Sequence, residues 1–473
     1  MAQIRCRWRN CLICVCTSCL CVLLLFLYVA VMVTLAMRKQ TTESVHLHYN
    51  LGEDIDIVVK KRIPDPKDHF IAPGAIKTGK YSSTPKSFWD KGDKVALWNQ
   101  LQKAVDLQFN PILRPGASHR ASDLVGASLL SHSLSGLRGP GGHSLLTLPE
   151  QMQDYVSSMS RRQYPVLLEP RGQCGAGDTH ETAPALLLLA IKTSALNYRN
   201  RRAIRQSWGK AGWVSTQMNG GRGAYVRRLF LLGTASSDLR DVSSELLHLE
   251  SQHYGDLLQW DVWDNSLNGT VKQLLFWSWF RDTCGHTTFV FEGDDEVFVN
   301  TPALVSFLLE QLHGPRAHRP LQDFMMGNVE VRGQPSRSSH SQEFIPESFY
   351  RGSYPLYASG AGRVSSALLL GRLLQVSNRV HLFPIEQVYV GMCMIRLNVS
   401  PDHHPAFFPS KWTKEQEEEP CAGRRVLLLH THSPTHMLQL WDSANTELCA
   451  NATVPSLTTR GTKVTNGIKK HVF

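Results

Sequence analysis

The chain has 473 residues, of which 42% are hydrophobic and 19% are charged. This balance is typical of a globular protein, and the length suits one large domain or two medium ones. The net charge of +10 is modest for this length, and no basic run of the kind that follows a nucleic-acid backbone is present. We therefore expect no binding of DNA or RNA.

An almost uncharged apolar segment occupies residues 11–36. It is longer than the roughly 20 residues that a helix needs to cross a bilayer. A cleaved signal peptide is the alternative, but its apolar core would be shorter, about 7–15 residues. Basic residues are more frequent before the segment than after it. This excess predicts a type II signal anchor, with residues 1–10 in the cytoplasm and everything beyond the anchor in the lumen of the secretory pathway.

The cysteines and glycosylation sequons agree with a lumenal location. Of the 11 cysteines, all but five lie in the anchor or shortly before it, and those five lack the Cys-x-x-Cys spacing of a zinc site. We expect disulfides among the five in an oxidising compartment, with at least one cysteine left over because five is odd. Sequons at Asn268, Asn398 and Asn451 are predicted to accept N-linked glycans.

Residues 37–163 have no steady hydrophobic period and are interrupted by Pro and Gly. We interpret this segment as a stem that holds a domain away from the membrane. One island within it, residues 88–113, contains several aromatic side chains. It is predicted to form a short helix that packs on the main domain.

Predicted strands and helices alternate in residues 164–473. This alternation is typical of an α/β domain with a mostly parallel sheet, which binds ligands beyond the carboxyl ends of its strands. The predicted strands are 185–192, 226–233 and 257–263, followed by one that begins at residue 289, and the predicted helices are 200–208, 238–251 and 269–284. In the predicted helix 238–251, we expect Leu239, Leu246, Leu247 and Leu249 to face the core.

The stretch from Phe289 to Asn300 is the most informative part of the chain. An apolar run breaks at Gly293 and is followed by three acidic residues, Asp294, Asp295 and Glu296. Adjacent carboxylates repel one another and are costly to bury unpaired. A divalent cation is the usual reason to gather them at the end of a buried strand. A solvated acidic turn between two strands is the alternative.

An acidic strand end in a lumenal, membrane-anchored α/β domain looks like that of a nucleotide-sugar transferase. A UDP-sugar carries a diphosphate whose charge grows as the sugar leaves, and a bound Mn²⁺ or Mg²⁺ neutralises that charge as a Lewis acid. The likeness therefore implies a UDP-sugar donor and a divalent metal.

Several ordered motifs resemble the β-1,3-glycosyltransferases of glycosyltransferase family 31, and most closely their β-1,3-N-acetylglucosaminyltransferase branch, which makes poly-N-acetyllactosamine. The resemblance implies a GT-A type, Rossmann-like fold, inverting transfer, Golgi residence, a UDP-GlcNAc donor and a galactose-ended acceptor. The similar segments are 189–193, 201–209, 226–234, 254–260, 264–272, 293–300, 354–358, 384–393 and 426–430.

The resemblance also implies roles for individual residues. Glu386 and Gln387 fall at the catalytic position, and Asp294, Glu296 and His430 at the metal position. Donor binding falls to Arg201, Arg205, Asp264, Lys272, Asp294 and Asp295, and the acceptor side to Tyr357, Gly360 and Gly362. Without the resemblance, the arginines of the 200–208 helix would be read as a solvated helix face.

Five departures from the family pattern lie in the expected site, among them Asn328 in place of an aspartate of the branch. Glu296 replaces an aspartate, Gln387 replaces the aspartate expected as general base, and residues 359–363 and 342–346 differ from the family's glycine-rich and Lys-Tyr-Tyr-Ile-Pro segments. A glutamine cannot accept a proton at neutral pH, and general-base catalysis contributes about 10²–10⁴-fold to a rate. Two interpretations follow: a paralogue with a shifted acceptor, which we favour, or a transferase fold with crippled or lost turnover, unless Glu386 takes over as the base.

The resemblance implies a disulfide between Cys174 and Cys284 and another between Cys393 and Cys421, which leaves Cys449 unpaired.

The favoured function is transfer of GlcNAc from UDP-GlcNAc to a galactose-ended glycan in a β-1,3 linkage. One alternative is a galactosyl donor. Another is a catalytically impaired protein that forms a homo- or hetero-oligomer with other Golgi transferases.

Overall fold

The computed structural model describes residues 96–109, 148–172, 174–176, 184–216, 223–313, 321–412, 421–446 and 449. All of these belong to one compact unit, residues 61–473. The predicted cytoplasmic tail and anchor lie outside the described residues. Within them, no helix is both long enough and apolar enough to cross a membrane.

The centre of the fold is a nine-stranded sheet with the order β1-β5-β4-β2-β6-β9-β8-β10, in which β3 pairs with β4. A second sheet of three strands has the order β11-β12-β7. The strands are β1 (Val166–Leu168), β2 (Leu187–Lys192), β3 (Gly212–Ser215), β4 (Gly223–Thr234), β5 (Leu257–Trp263), β6 (Phe289–Asp294), β7 (Val297–Val299), β8 (Met325–Glu330), β9 (Tyr357–Ser366), β10 (Asp402–His403), β11 (Phe407–Lys411) and β12 (Leu428–His430).

Helices connect and cover these strands, which gives a mixed α/β fold. They are α1 (Leu97–Phe109), α2 (Glu150–Ser158), α3 (Tyr198–Gln206), α4 (Arg240–Tyr254), α5 (Gly269–Thr283), α6 (Thr301–His313), α7 (Ala367–Ser377), α8 (Glu386–Arg396), α9 (Ala422–Arg425) and α10 (Pro434–Ala444). Two short 3₁₀ turns, Ser237–Leu239 and Leu321–Asp323, complete the elements of the described ranges.

The sheet is parallel only at its centre. Strands β5, β4, β2 and β6 run in one direction, so their carboxyl ends meet at the same edge. Strands β1, β3 and β9 pair antiparallel with β5, β4 and β6, and β8 pairs antiparallel with β9. The prediction of a mostly parallel sheet therefore holds for the centre and is wrong for the flanks, where hairpin-like additions need no crossover helix.

The central strands are buried on both faces, as their continuous apolar runs predict. Along β2, Leu188 and Ala190 pack into the core on one face, whereas Leu187, Leu189 and Ile191 pack into the core on the other. This alternation follows from the two-residue period of a strand.

The folded domain begins earlier than the predicted boundary at residue 164. Trp98 of α1 is fully buried, with its ring 5.5 Å from that of Tyr350 and 5.7 Å from that of Phe383. Tyr155 of α2 packs in the same core, 6.1 Å from Phe349. The helix expected in residues 88–113 is thereby confirmed, and part of the predicted stem belongs to the domain.

The predicted inward face of α4 is largely wrong. Leu247 is buried, but Leu239, just before the helix, Leu246 and Leu249 are exposed. The buried face of α4 also carries Glu250, which forms ion pairs with arginines of α3. These charge pairs determine the orientation of the helix, and a pattern of leucines does not reveal them.

The disulfides agree with expectation in one case of two. Cys174 and Cys284 are bonded, as the resemblance implies. Cys421 pairs with Cys449, so the expected Cys393–Cys421 bond is wrong. Cys393 is a free thiol that lies fully buried in α8, inside the hydrophobic core, and burial raises its pKa to about 12.

Candidate active site

The carboxyl ends of the parallel strands gather charged side chains at one edge of the sheet. Lys192, the last residue of β2, is in register with Asp294, the last residue of β6. Its Nζ lies 3.5 Å from Oδ1 of Asp294 and donates to Oε2 of Glu386 at 2.9 Å. Lys192 had no predicted role, although a lysine at the end of a buried strand was a usable signal in the sequence.

A network of buried ion pairs lies next to this edge, inside the domain. The guanidinium of Arg363 on β9 is fully buried and contacts Glu292 at 3.2 Å and Glu386 at 2.5 Å. Gln273 and Trp277 of α5 donate to the same Glu292 carboxylate. The network fixes the first turn of α8 against the end of the sheet. Arg363 and Glu292 were not predicted as site residues.

Glu386 is a fixed anion in this network. Burial pushes the pKa of its carboxyl upward, but the charges of Arg363 and Lys192 outweigh that effect and lower the pKa to about 2. One carboxylate oxygen faces Arg363 and the other faces Lys192. The expectation that Glu386 replaces the missing base is therefore corrected, because so weak a base, with both oxygens engaged, does not take a proton from a hydroxyl.

The acidic triplet separates into three environments. Asp295 is buried, and its carboxylate accepts hydrogen bonds from Thr193, Asn197 and Asn200. Burial raises its pKa despite these bonds. Asp295 thus ties the start of α3 to the end of β6 and is not free to contact a donor as predicted. The side chain of Asp294 is about half exposed, at 49%, and that of Glu296 is 57% exposed.

Glu296 and His430 are brought together by the small sheet. His430 on β12 is in antiparallel register with Val297 on β7, and its Nε2 lies 3.6 Å from Oε2 of Glu296. Thr431 donates to the Glu296 carbonyl through its amide and its hydroxyl, at 2.8 Å and 2.7 Å. The strand pairing therefore holds the two side chains at adjacent positions.

Two of the three predicted metal ligands, Glu296 and His430, lie side by side at 3.6 Å. Neighbouring ligands of an octahedral Mg²⁺ lie about 3 Å apart, because each metal–oxygen bond is about 2.1 Å long. In the described part of the chain, no group of three His, Cys, Asp or Glu side chains converges on one point. The predicted set of Asp294, Glu296 and His430 is thus reduced to the last two, since Asp294 faces Lys192.

Arg201 and Arg205 are structural cations. All three guanidinium nitrogens of Arg201 donate, to Glu250 and to oxygens of residues 193–195, and the side chain is 1% exposed. Arg205 forms a double hydrogen bond with the fully buried Asp256, at 2.9 Å and 2.7 Å. Two predictions for these arginines are therefore wrong. They are buried and paired with carboxylates, so they neither contact the donor nor form a solvated face of the helix.

Asp264 and Lys272 lie at the same edge, beyond the end of β5. Lys272 Nζ lies 2.5 Å from Oδ1 of Asp264, and the other oxygen accepts from the amide of Gly233 at 2.9 Å. A side chain at Gly233 would crowd Asp264, since its Cβ would lie 2.8 Å from Oδ1. The pair is mostly buried and remains a predicted donor contact.

The beginning of β9 brings the predicted acceptor residues to this edge, because β9 runs antiparallel to β6. Gly360 faces the catalytic position: a Cβ there would lie 3.1 Å from Oε1 of Gln387. Gly362 faces the core instead, where a Cβ would meet Phe291 and Leu428. Gly362 is therefore required for packing, in place of the predicted acceptor contact.

Gln387 makes one side-chain contact that sequence analysis missed. Its Nε2 donates to Oε1 of Glu343 at 3.1 Å. Burial raises the pKa of Tyr357, and so do the nearby anions Glu330 and Glu343. Glu343 thus contacts the first turn of α8, and its charge acts on the acceptor-side tyrosine. The departure of residues 342–346 from the family pattern was the available signal.

The sequons differ in their surroundings. Asn398 is exposed and has a left-handed backbone, with φ of 57°. Asn268 is half-buried, and its amide donates to the carbonyl of Trp263 at 2.9 Å. Asn451 lies outside the described residues. Glycan attachment at all three remains a prediction.

Comparisons with known proteins agree with the sequence motifs. A family profile described as Galactosyltransferase matches residues 199–405. N-acetyllactosaminide beta-1,3-N-acetylglucosaminyltransferase 2 of Homo sapiens is 33% identical over 353 residues, which are 73% of this chain and 83% of that protein. N-acetyllactosaminide beta-1,3-N-acetylglucosaminyltransferase 4 of Homo sapiens is 35% identical over 327 residues, which are 67% and 80% of the two chains.

A third relative and one solved structure complete the comparison. The acetylgalactosaminyl-O-glycosyl-glycoprotein beta-1,3-N-acetylglucosaminyltransferase of Homo sapiens is 35% identical over 302 residues, which are 62% of this chain and 74% of that protein. A structure titled "WbbM bifunctional glycosytransferase apo structure" is 9% identical, with a TM-score of 0.28, over 58% of this chain and 52% of that one, a likeness below the level that supports a fold assignment.

The mixed α/β domain, its charged strand ends and these relatives together define a glycosyltransferase. The chain belongs to the galactosyltransferase family of β-1,3-glycosyltransferases, family 31, as the sequence motifs imply.

Proposed function

We propose that this protein transfers GlcNAc from UDP-GlcNAc to a hydroxyl of a galactose-terminated glycan, in a β-1,3 linkage and with inversion at the sugar. The names of its relatives support the donor and the linkage. The observation that carries the proposal is the pairing of Glu296 with His430 at the edge where the parallel strands end. Ligands of open α/β sheets bind at this edge.

The donor site that we propose is built on a GT-A type arrangement of the central sheet. Glu296 and His430 would hold a Mn²⁺ or Mg²⁺ ion, and diphosphate oxygens and water would complete its coordination, as is usual for Mg²⁺ in nucleotide sites. When bound, such an ion neutralises the charge that develops on the leaving UDP. Lys192 adds a positive charge at the same edge. Its ammonium group lies 3.5 Å from the carboxylate of Asp294, which holds it beside the site.

The acceptor would bind beside the start of β9 and the first turn of α8. Tyr357 and Gly360 line this side, and Gln387 faces Gly360. Lys192 and Arg363 hold Glu386, so the first turn of α8 is fixed when the acceptor arrives. Rigid placement of the two substrates is itself a large part of catalysis of a two-substrate transfer.

We further propose that the protein is a single-pass type II protein of the Golgi membrane. The support is the apolar segment at residues 11–36, its flanking charges and the sequons of the main domain. Association with a second copy or with another transferase is part of the same proposal. Confocal localisation of the tagged chain and cross-linking in Golgi membranes would test the two statements.

The direct test is acceptor-dependent release of UDP by the full-length protein in detergent. UDP-GlcNAc and UDP-Gal would be offered with Mn²⁺, with and without N-acetyllactosamine, and a His430→Ala variant would be the negative control. Acceptor-dependent release of UDP from UDP-GlcNAc, but not from UDP-Gal, supports the proposal. Release only from UDP-Gal would assign the galactosyl alternative.

One observation favours a second function, that of a partner without turnover. Gln387 cannot act as a base, and both oxygens of Glu386 are engaged with cations. If UDP-GlcNAc binds and no acceptor releases UDP, the retained fold would serve binding alone.

A further inference from the structure

We propose that Glu343 is the general base of this glycosyltransferase and removes the proton from the acceptor hydroxyl. This inference rests on the proposed function and identifies the group that the transfer needs and that position 387 does not supply. It is carried by the hydrogen bond between the Glu343 carboxylate and the Gln387 amide, at 3.1 Å.

Four other carboxylates of this edge are committed elsewhere, and Glu330, the other anion near Tyr357, accepts a hydrogen bond from the amide of Arg332 at 3.1 Å. Glu386 is held by Arg363 and Lys192, Asp295 is buried under three hydrogen bonds, and Glu296 faces His430. Asp294 faces Lys192 at 3.5 Å. Each of these four carboxylates is therefore buried, paired with a cation or assigned to the predicted metal.

Glu343 has the properties that a base requires. Its side chain is exposed, and among the described residues no Lys, Arg or His forms an ion pair with it. The amide of Gln387 occupies one oxygen and leaves the other available to a hydroxyl. The hydrogen bond from the neutral amide of Gln387 orients the carboxylate and brings no cation to it.

The backbone of Glu343 is well anchored for an exposed residue. Two positions later, Ile345 is fully buried, and its amide donates to the carbonyl of Ser336 at 2.9 Å. Arg337 donates to the carbonyl of Ile345 at 2.5 Å. The amide of Glu343 itself donates to the hydroxyl of Ser341 at 3.2 Å. A base held by such contacts can meet its substrate with little loss of entropy.

The neighbours of Glu343 place it on the acceptor side. Burial is the main cause of the raised pKa values of Tyr354 and Tyr357, and the charge of Glu343 adds to both, so its carboxylate lies in the neighbourhood of these tyrosines. Gln387 also lies against Gly360 of β9. A hydroxyl bound at Gln387 is therefore within one side-chain length of the Glu343 carboxylate.

The Glu343 carboxylate accepts the proton of the acceptor hydroxyl while the hydroxyl oxygen forms a bond to the anomeric carbon of GlcNAc. The bond from that carbon to the diphosphate oxygen breaks, and its electron pair leaves with UDP. Glu343 ends the step as a carboxylic acid and returns its proton to water. Gln387 donates its hydrogen bond throughout and exchanges no proton.

The test uses four variants of the full-length protein: Glu343→Gln, Gln387→Asp, the double variant, and Glu347→Gln as the matched control. Glu347 lies on the same segment but pairs with Arg351 at 3.3 Å on the surface. We expect Glu343→Gln to lower kcat by about 10²–10⁴-fold, the usual contribution of a general base, with UDP-GlcNAc affinity unchanged in calorimetry. Glu347→Gln should match the natural protein in both measurements.

The double variant makes the result specific. Because Gln387→Asp places a carboxylate at the other end of the same hydrogen bond, it should restore turnover to Glu343→Gln. Normal turnover by Glu343→Gln alone would overturn the inference and leave the proposed function standing. Loss without rescue, together with weakened UDP-GlcNAc binding, would also overturn it. A natural protein that binds UDP-GlcNAc and releases no UDP would refute the proposed function, and the inference with it.

Discussion

Nε2 of His430 lies 3.6 Å from Oε2 of Glu296 because β12 and β7 pair antiparallel with Val297 opposite His430. The two side chains come from distant parts of the chain and meet only through this register. A one-residue slip of the pairing would move His430 to the other face of the small sheet. The metal site that we propose therefore depends on strand register as much as on ligand identity.

We expect His430→Ala and Glu296→Ala to weaken Mn²⁺ binding in the presence of UDP by at least about 10–100-fold, the loss that even an outer-shell partner of a ligand causes. Titration of free Mn²⁺ by electron paramagnetic resonance measures this directly. His432→Ala is the matched control, because His432 is exposed on the same segment. Equal Mn²⁺ affinity in all three variants would refute the assignment of these ligands.

Replacement of Arg201 should destabilise the fold before it affects the donor. Arg201→Ala would leave Glu250 buried without one of its cationic partners, and loss of one partner of a buried pair typically costs about 3–5 kcal/mol. Chemical denaturation should show this loss as a lower midpoint. Arg202→Ala, on the exposed face of the same helix, should leave the midpoint nearly unchanged. A stable Arg201→Ala variant with weakened UDP binding would restore the donor contact that the sequence motif implies.

The strands and helices of the parallel centre were predictable because their signals are local. The run that contains β2 and the whole of β5 are short apolar segments between turns, and the helix α5 begins and ends within one residue of its prediction. The predictions of these strands and of this helix rest on hydrophobic period and segment length, which can be read from a single sequence.

The side-chain pairings were not predictable, because they depend on contacts between distant segments. Arg201 looked like a surface cation until α4 brought Glu250 against it. Cys421 looked like the partner of Cys393 until the burial of α8 placed that thiol in the core. Glu343 stood out in the sequence only as part of a departure from the family pattern, and its contact with Gln387 forms only in the fold. Local pattern therefore finds the elements of the site, and tertiary packing decides which charges are free.

The disulfide assignment can be checked by peptide mapping without reduction. We expect linked peptides for Cys174–Cys284 and Cys421–Cys449. Cys393 should resist iodoacetamide in the native protein, since its thiol is buried and its raised pKa leaves little thiolate, and should react once urea unfolds the chain. A peptide that links Cys393 to Cys421 would contradict the structure.

The charge network around Glu386 predicts a specific loss of stability in acid. Its pKa lies near 2 in the folded protein, below the ordinary value of 4.5, so the unfolded chain binds a proton more readily. The stabilisation is complete above about pH 4.5 and is lost as the pH falls towards 2, and linkage makes it worth about 3 kcal/mol. Denaturant midpoints between pH 6 and pH 3 measure this loss.

Glu386→Gln should be less stable at pH 6, because Arg363 and Lys192 lose their shared anion, and its midpoint should depend less on pH over the same range. Asp261→Asn, which removes an exposed carboxylate paired with Arg240, is the control and should retain the pH dependence of the natural protein. Parallel acid curves for the natural protein and Glu386→Gln would show that the network does not depress this pKa.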